Sequence, residues 1–99
     1  MNPLKTPIQI GGHSIKTEYE ANLPHPGKNC GLFIPREDKI YLLPDLPDII
    51  KTQTWLHELN EAINIIFCAD KMQHEHLEQH AQALLQILPQ MNWTVEWSE

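Results

Sequence analysis

The stretch that decides the fold is Trp55-Leu56-His57-Glu58-Leu59-Asn60-Glu61-Ala62-Ile63-Asn64. It places a His-Glu-x-x-Glu motif among apolar residues that recur at helical spacing. His57 and Glu61 are four residues apart, so on a helix both side chains leave the same face, one turn apart. That spacing suits two ligands of one metal ion, and Glu58 stands where a general base would reach a metal-bound water. The sequence therefore predicts an amphipathic helix that carries a metal site.

The helix around this motif is predicted to run from about Ile49 to Phe67, within the segment 45–68. Asp45 or Asp48, which follow the preceding strand in a proline-containing segment, is expected to cap its first turn. A short connector leads to a second helix over residues 72–88, which ends before a proline. The buried stripe of the first helix is predicted to contain six apolar residues, namely Trp55, Leu56, Leu59, Ile63, Ile66 and Phe67.

Upstream of the helix, residues 8–43 predict two β-hairpins, because short apolar runs alternate on either side of turn residues. The runs are Ile8–Ile10 with His13–Tyr19, and Gly31–Ile34 with Lys39–Leu43. The predicted fold is a single α+β domain over residues 1–99. In it, a small antiparallel sheet made of the two hairpins packs on the motif helix and a second helix.

The remaining segments have turn-rich or irregular patterns. Residues 1–7 contain two prolines and are predicted to be a loose N-terminal arm. Residues 20–29 are predicted to form a surface loop that exposes His25. The 89–99 tail is predicted to be either a short extra strand or an apolar strap across the core. The residues that alternate in it are Trp93, Val95 and Trp97.

A third metal ligand is needed, since catalytic zinc takes three protein ligands and a water molecule. The second helix offers His74, His76 and His80. Successive helical residues turn by about 100°, which places His74 about 40° from the centre of the apolar stripe, His80 roughly 80° and His76 roughly 120°. His74 is therefore predicted to face the first helix, and the other two to face solvent. His76 and His80, four residues apart, remain an alternative exposed pair. The apolar stripe consists of Leu77, Ala81, Leu84, Leu85 and Leu88.

Charge and composition exclude some classes of function. The net charge of −6, from 7 Lys and Arg against 13 Asp and Glu, argues against binding to duplex nucleic acid. The chain starts without the apolar segment of a signal peptide, and its apolar runs are too short to span a bilayer. A cytoplasmic protein with two free thiols is therefore predicted. Cys30 lacks neighbours at ligand spacing, and Cys68 is predicted to be a buried structural thiol.

The segment Thr54–Asn64 resembles the active-site helix of small phage and prophage metallopeptidase-like proteins. Their pattern is apolar-His-Glu-x-x-(His or Glu)-Ala-Ile. The Ile10–His13 turn and the Lys39–Tyr41 strand are similar to the hairpins before that helix, so the resemblance covers residues 8–88. The second helix also resembles theirs, through Met72, His74, Leu77, Leu84, Gln86 and Leu88.

The resemblance implies a minimal zincin-like fold in which His57, Glu61 and His74 hold one zinc ion and Glu58 is the catalytic carboxylate. It implies zinc-dependent cleavage of a protein or peptide, in the host cytoplasm if the protein is phage-encoded. The chain departs from most zincins at Glu61, an anionic ligand that lowers the Lewis acidity of the metal. It also departs at His80, where the pattern has an apolar residue.

Two other functions remain open at this stage. One is a non-catalytic phage protein on the same scaffold that binds and inhibits a host protein, for which an acidic surface suits a basic target. The other is a structural domain without metal. For a hydrolase, three residues are candidates by type alone for stabilising an oxyanion, namely Tyr19, Tyr41 and Arg36.

Overall fold

A computed structural model of the chain describes residues 1–23 and 30–99, so the predicted exposure of His25 and most of the predicted 20–29 loop lie outside the described residues. Over the described residues the chain forms four strands and two helices, which confirms the α+β class. These are β1 (Ile8–Ile10), β2 (His13–Tyr19), β3 (Gly31–Ile34), β4 (Lys39–Leu42), α1 (Asp48–Phe67) and α2 (His74–Ile87). Neither helix in this part of the chain combines the length and the apolar character needed to cross a membrane.

The sheet has the strand order β1-β2-β4-β3 and is mixed. Both predicted hairpins form, since β1 pairs with β2 and β3 pairs with β4, each antiparallel. The two hairpins join through β2 and β4, which run parallel with Thr17 opposite Ile40. The predicted sheet was purely antiparallel, whereas the observed sheet contains this one parallel pair. β4 carries Ile40 and Leu42, both 0% exposed. A strand this apolar is stabilised in the interior of the sheet, where β4 lies between β2 and β3.

The strand β3 lies directly on α1 because residue 31 is a glycine. A Cβ atom at Gly31 would lie 2.7 Å from Thr54 Cγ2 and 2.8 Å from Leu42 Cδ2. Separations this short are steric clashes, so any larger residue would push β3 away from the helix. The glycine therefore sets the distance between the edge strand and the helix that carries the motif.

The helix α1 matches its predicted range but not all of its predicted contacts. Trp55 and Leu56 are buried as predicted, whereas Ile63 and Phe67 are 38% and 66% exposed. The prediction was wrong there because α1 packs against the sheet on one side and α2 on another, so the buried surface is not one stripe. The predicted aspartate cap was also wrong, since the residue before α1 is Pro47 and no side chain caps it.

The tail forms the predicted apolar strap across the core rather than a strand. The ring of Trp93 stacks on Trp55 at 6.2 Å between centroids, and Trp97 meets Trp55 edge-on at 6.1 Å. Trp97 Nε1 also donates a hydrogen bond to Thr52 Oγ1 at 2.9 Å. The tail therefore covers the core of its own chain.

Residues 1–7, predicted to be a loose arm, are instead held against this tail. Pro3 is fully buried. The backbone N–H of Glu96 donates to Met1 O at 2.8 Å, and the Met1 amino group donates to Thr94 O at 3.3 Å. Residues 2–5 form a turn closed by the Lys5 N–H, which donates to Asn2 O at 3.1 Å, and Pro3 occupies the second position, where turns favour proline.

Candidate metal centre

The His-Glu-x-x-Glu motif lies on one face of α1, and the first residue of α2 meets it there. Donor atoms of His57, Glu61 and His74 all lie within 4.8 Å of one another. Glu61 Oε1 is central, 3.6 Å from His57 Nε2 and 3.0 Å from His74 Nδ1. The two imidazole rings are 4.7 Å apart between centroids. The structure thus brings together the three residues that the sequence predicted as ligands.

The two donor spacings around Glu61 fit a metal ion. Two donors on a tetrahedral zinc ion at about 2.0–2.1 Å lie about 3.3 Å from each other, close to the 3.0 and 3.6 Å around Glu61 Oε1. The side chains of His57 and Glu61 are 16% and 23% exposed, whereas that of His74 is 72% exposed. Three protein ligands that meet at the protein surface leave a fourth position accessible to water or substrate.

His57 is suited to bind a metal in its neutral form. Burial lowers the pKa of His57, and the nearby His74 lowers it further, although Glu61 and Glu78 act in the opposite direction. A neutral imidazole has a free nitrogen lone pair, which is the form that binds metals. Its Nδ1 is buried with no hydrogen-bond partner among the described residues. Most metal-bound histidines donate the N–H of the second ring nitrogen to a carboxylate, a carbonyl or water. Within the described part of the chain His57 lacks that bond, so packing alone orients its ring.

Glu58 is a buried carboxyl group beside the three ligands. Its Oε1 accepts a hydrogen bond from the Phe33 N–H at 2.9 Å, and its Oε2 lies 3.8 Å from His57 Nε2. Burial raises the pKa of Glu58 to about 7, and the charge of Glu61 also raises it, while the Phe33 N–H opposes the shift. A carboxyl group with a pKa near 7 exchanges protons readily at neutral pH, as a general base must.

A cleft of about 510 Å³ runs past these residues, between α1, the start of α2 and the strand β3. β3 is an edge strand of the sheet. The Leu43 N–H donates to Cys30 O, so the backbone of Cys30 faces β4. Backbone groups alternate in direction along a strand, so those of Gly31 and Phe33 face the free edge. The lining includes Gly31, Phe33, Ile50, His57, Glu58, Glu61, Ile65, His74 and Glu78.

Three other histidines among the described residues, His13, His76 and His80, lie apart from this cluster. His76 is exposed as predicted. His80 is exposed too, as predicted, and its Nδ1 also reaches Asn60 Oδ1 on α1 at 2.9 Å. The reason is that α1 and α2 pack closely along their length, and a histidine at the boundary can reach across. His13 is a surface residue, 3.0 Å from Asp38.

The cysteines and the oxyanion candidates have other surroundings. Cys30 and Cys68 are both free and half-buried, and Cys30 lines the cleft. Tyr19 accepts a hydrogen bond from Lys51, and Tyr41 donates one to Glu37. Neither tyrosine lines the cleft described above, and Arg36 does not line it either. Glu78, which lines the cleft, was not predicted as a site residue, although it follows His74 by four residues and so shares its helix face.

The raised pKa of Glu58 predicts how the stability of the metal-free protein depends on pH. The pKa is about 7 in the folded chain against an ordinary value of 4.5, so folding favours the protonated form. This contribution is fully present below the ordinary pKa and is lost as pH rises through the folded value, by at most about 3 kcal/mol. Urea unfolding in the presence of a chelator at acidic and alkaline pH would measure the loss.

Glu58→Gln should largely remove this pH dependence, because glutamine still accepts the Phe33 N–H but does not ionise. Glu78→Gln is the matched control, since it removes an exposed carboxylate from the same cleft and should leave the dependence unchanged. If the free energy of unfolding depended on pH equally in wild type and Glu58→Gln, Glu58 would not be the source of the dependence.

Comparisons of the chain with protein-family models, with curated proteins and with solved structures find no match. The resemblance to phage and prophage metallopeptidase-like proteins therefore stays a prediction. What this chain can do is argued below from the geometry of its own residues.

Proposed function

We propose that this protein is a zinc-dependent, metallopeptidase-like hydrolase in which His57, Glu61 and His74 bind one zinc ion. The observation that carries the proposal is the convergence of these three donors within 4.8 Å, beside a buried carboxyl group and along an open cleft. Two histidines and one glutamate form a ligand set used by zinc peptidases. A phage or prophage origin, as the sequence resemblance implies, is part of the same proposal.

Glu58 is the proposed general base. When bound, zinc supplies Lewis-acid activation of the substrate carbonyl and of water. Glu58 Oε2, on the side of His57, takes a proton from the attacking water and returns it to the leaving amine. Meanwhile the Phe33 N–H holds Oε1, which fixes the carboxyl group in place. In the metal-free protein, burial raises the pKa of Glu58 to about 7, which is close to neutral pH.

The proposed substrate is an extended segment of a protein or peptide. The free edge of β3 presents the backbone groups of Gly31 and the carbonyl of Phe33, to which an extended chain can pair as an added strand, while the Phe33 N–H is donated to Glu58. Ile50 and Ile65 line the cleft at opposite ends of the motif. Ile50 and Ile65 are fifteen residues apart, which corresponds to about 22 Å along a helix. A substrate segment of about six or seven extended residues has that length.

Metal content and one variant test the proposal. Protein purified without a histidine tag and then offered zinc should hold one equivalent, measured by mass spectrometry of the metal. Glu58→Gln should keep the zinc but lose about 10²- to 10⁴-fold in the hydrolysis rate of a fluorogenic peptide library, the usual contribution of a general base. Glu78→Gln should retain both properties.

The results separate the proposal from its rivals. Substoichiometric zinc after loading would overturn it and would leave a domain without a metal function. Full zinc occupancy without any peptide hydrolysis would favour the alternative of a non-catalytic protein that binds a host partner.

A further inference from the structure

We infer that Asn64 is the positioning residue for His74: it holds the connector between α1 and α2 so that the third ligand reaches Glu61. The inference rests on the proposed metal site, and it concerns a residue outside that site. Asn64 lies on α1 three residues after Glu61 and is only 1% exposed. A polar side chain this buried must satisfy its hydrogen bonds within the protein.

All the polar groups of the Asn64 side chain are used on the connector. Its Oδ1 accepts the backbone N–H of Met72 at 2.9 Å. Its Nδ2 donates to Met72 O and to Asp70 Oδ1, each at 3.2 Å. The amide of Asn64 thus pairs with both backbone groups of Met72, as a neighbouring strand would. This pairing fixes the residue that lies two positions before His74.

The backbone of Asn64 closes the same connector. Its carbonyl oxygen accepts the N–H groups of Cys68 at 3.0 Å and of Asp70 at 2.9 Å. Ala69 and Asp70 have φ angles of 51° and 60°, a left-handed conformation that residues with a Cβ atom adopt at a cost. Two such residues in succession persist only where surrounding bonds hold them. Asn64 supplies those bonds.

His74 depends on this connector because little else restrains it. It is the first residue of α2, and its side chain is 72% exposed, with Glu61 as its hydrogen-bonding partner. The preceding residue, Gln73, makes no side-chain cap, so the first turn of α2 lacks the usual anchor. Leu77 and Ala81 are the buried residues of α2, and Leu77, the nearer of the two, follows His74 by three positions. Met72, held by Asn64, is therefore the anchor nearest to the ligand.

Zinc affinities of single and double variants test this role. Asn64→Ala should raise the zinc dissociation constant about 10- to 100-fold, as the loss of groups that orient metal ligands does. The double variant Asn64→Ala/His74→Ala should bind no more weakly than His74→Ala alone, because the two changes remove one interaction. Cobalt-loaded Asn64→Ala should show the altered visible spectrum of His74→Ala. Chelator competition measures the affinities.

Asn60→Ala is the matched control. Asn60 is a second buried asparagine on α1, 4% exposed, and it bonds to His80 of α2, which is not a proposed ligand. Its replacement should leave zinc affinity within a few-fold of wild type. Equal losses for the Asn60 and Asn64 variants, or additive losses in the double variant, would show a merely structural role and overturn the inference. If Asn64→Ala does not fold, Asn64→Thr leaves a smaller cavity and takes its place in the same cycle.

A metal-free measurement separates this inference from the proposed function. The rings of His57 and His74, 4.7 Å apart between centroids, should give a nuclear Overhauser effect in chelator-treated wild-type protein. Asn64→Ala should lose that signal, and Asn60→Ala should keep it. If wild type binds no zinc, the proposed function fails while this result still decides the role of Asn64. Persistence of the signal in folded Asn64→Ala would overturn the inference.

Discussion

Glu61→Ala is expected to lower the affinity for zinc by more than about a hundredfold, because removing groups that only orient ligands already costs 10- to 100-fold. Glu61 Oε1 lies between the two histidines, 3.6 Å from His57 Nε2 and 3.0 Å from His74 Nδ1. The variant loses a ligand and the only carboxylate of the cluster. Chelator competition and metal analysis would measure the effect.

Glu78→Ala is the control for that prediction, since Glu78 lines the same cleft without belonging to the cluster. It should leave the zinc affinity within a few-fold of wild type. Glu61→His would retain three ligands and exchange an anionic donor for a neutral one, so it should keep zinc and raise Lewis acidity. Wild-type zinc affinity in Glu61→Ala would contradict the proposed ligand set.

Trp55→Ala is expected to lower the free energy of unfolding by about 3–5 kcal/mol, the usual cost of truncating a buried aromatic residue. Trp55 is 1% exposed and contacts the rings of both Trp93 and Trp97. Its Nε1 donates to Thr17 Oγ1 at 3.0 Å, so the variant also leaves a buried hydroxyl without its partner. Urea unfolding of the metal-free protein would measure the loss.

Trp55→Phe provides the comparison, because phenylalanine keeps much of the aromatic packing and removes the indole N–H. It should cost clearly less than alanine. A loss below about 1 kcal/mol for Trp55→Ala, the range of ordinary surface changes, would show that the tail does not pack on the core as described. In a domain of 99 residues, a loss of the expected size is a large part of the total stability.

A bound metal would connect the two helices of this small protein. His57 and Glu61 belong to α1 and His74 to α2, so a shared ion would add a link next to a connector that is already strained. Binding to the folded state alone stabilises it in proportion to the logarithm of ligand concentration over the dissociation constant. The zinc-loaded protein should therefore resist unfolding more than the metal-free protein.

Local spacing in the sequence was enough to predict much of the fold and of the candidate site. His57 and Glu61 are one helical turn apart, so their proximity follows from the helix alone. The choice of His74 followed from its angle to the apolar stripe of the second helix, and the structure places it 3.0 Å from Glu61. Both hairpins also followed from local alternation. Each of these features depends on residues that are neighbours within one element or across one turn.

Features that depend on contacts between distant parts of the chain could not be predicted from local spacing. The parallel pairing of β2 with β4, the exposure of Phe67 and the burial of Pro3 each depend on which elements pack together. Glu58 is a glutamate like the others until burial in the folded chain raises its pKa to about 7. The residues of the motif and their spacing along α1 follow directly from the amino-acid order. The burial of side chains, the pairing of strands and the electrostatic environment of Glu58 depend on the tertiary structure, because they arise between residues that are far apart in the sequence.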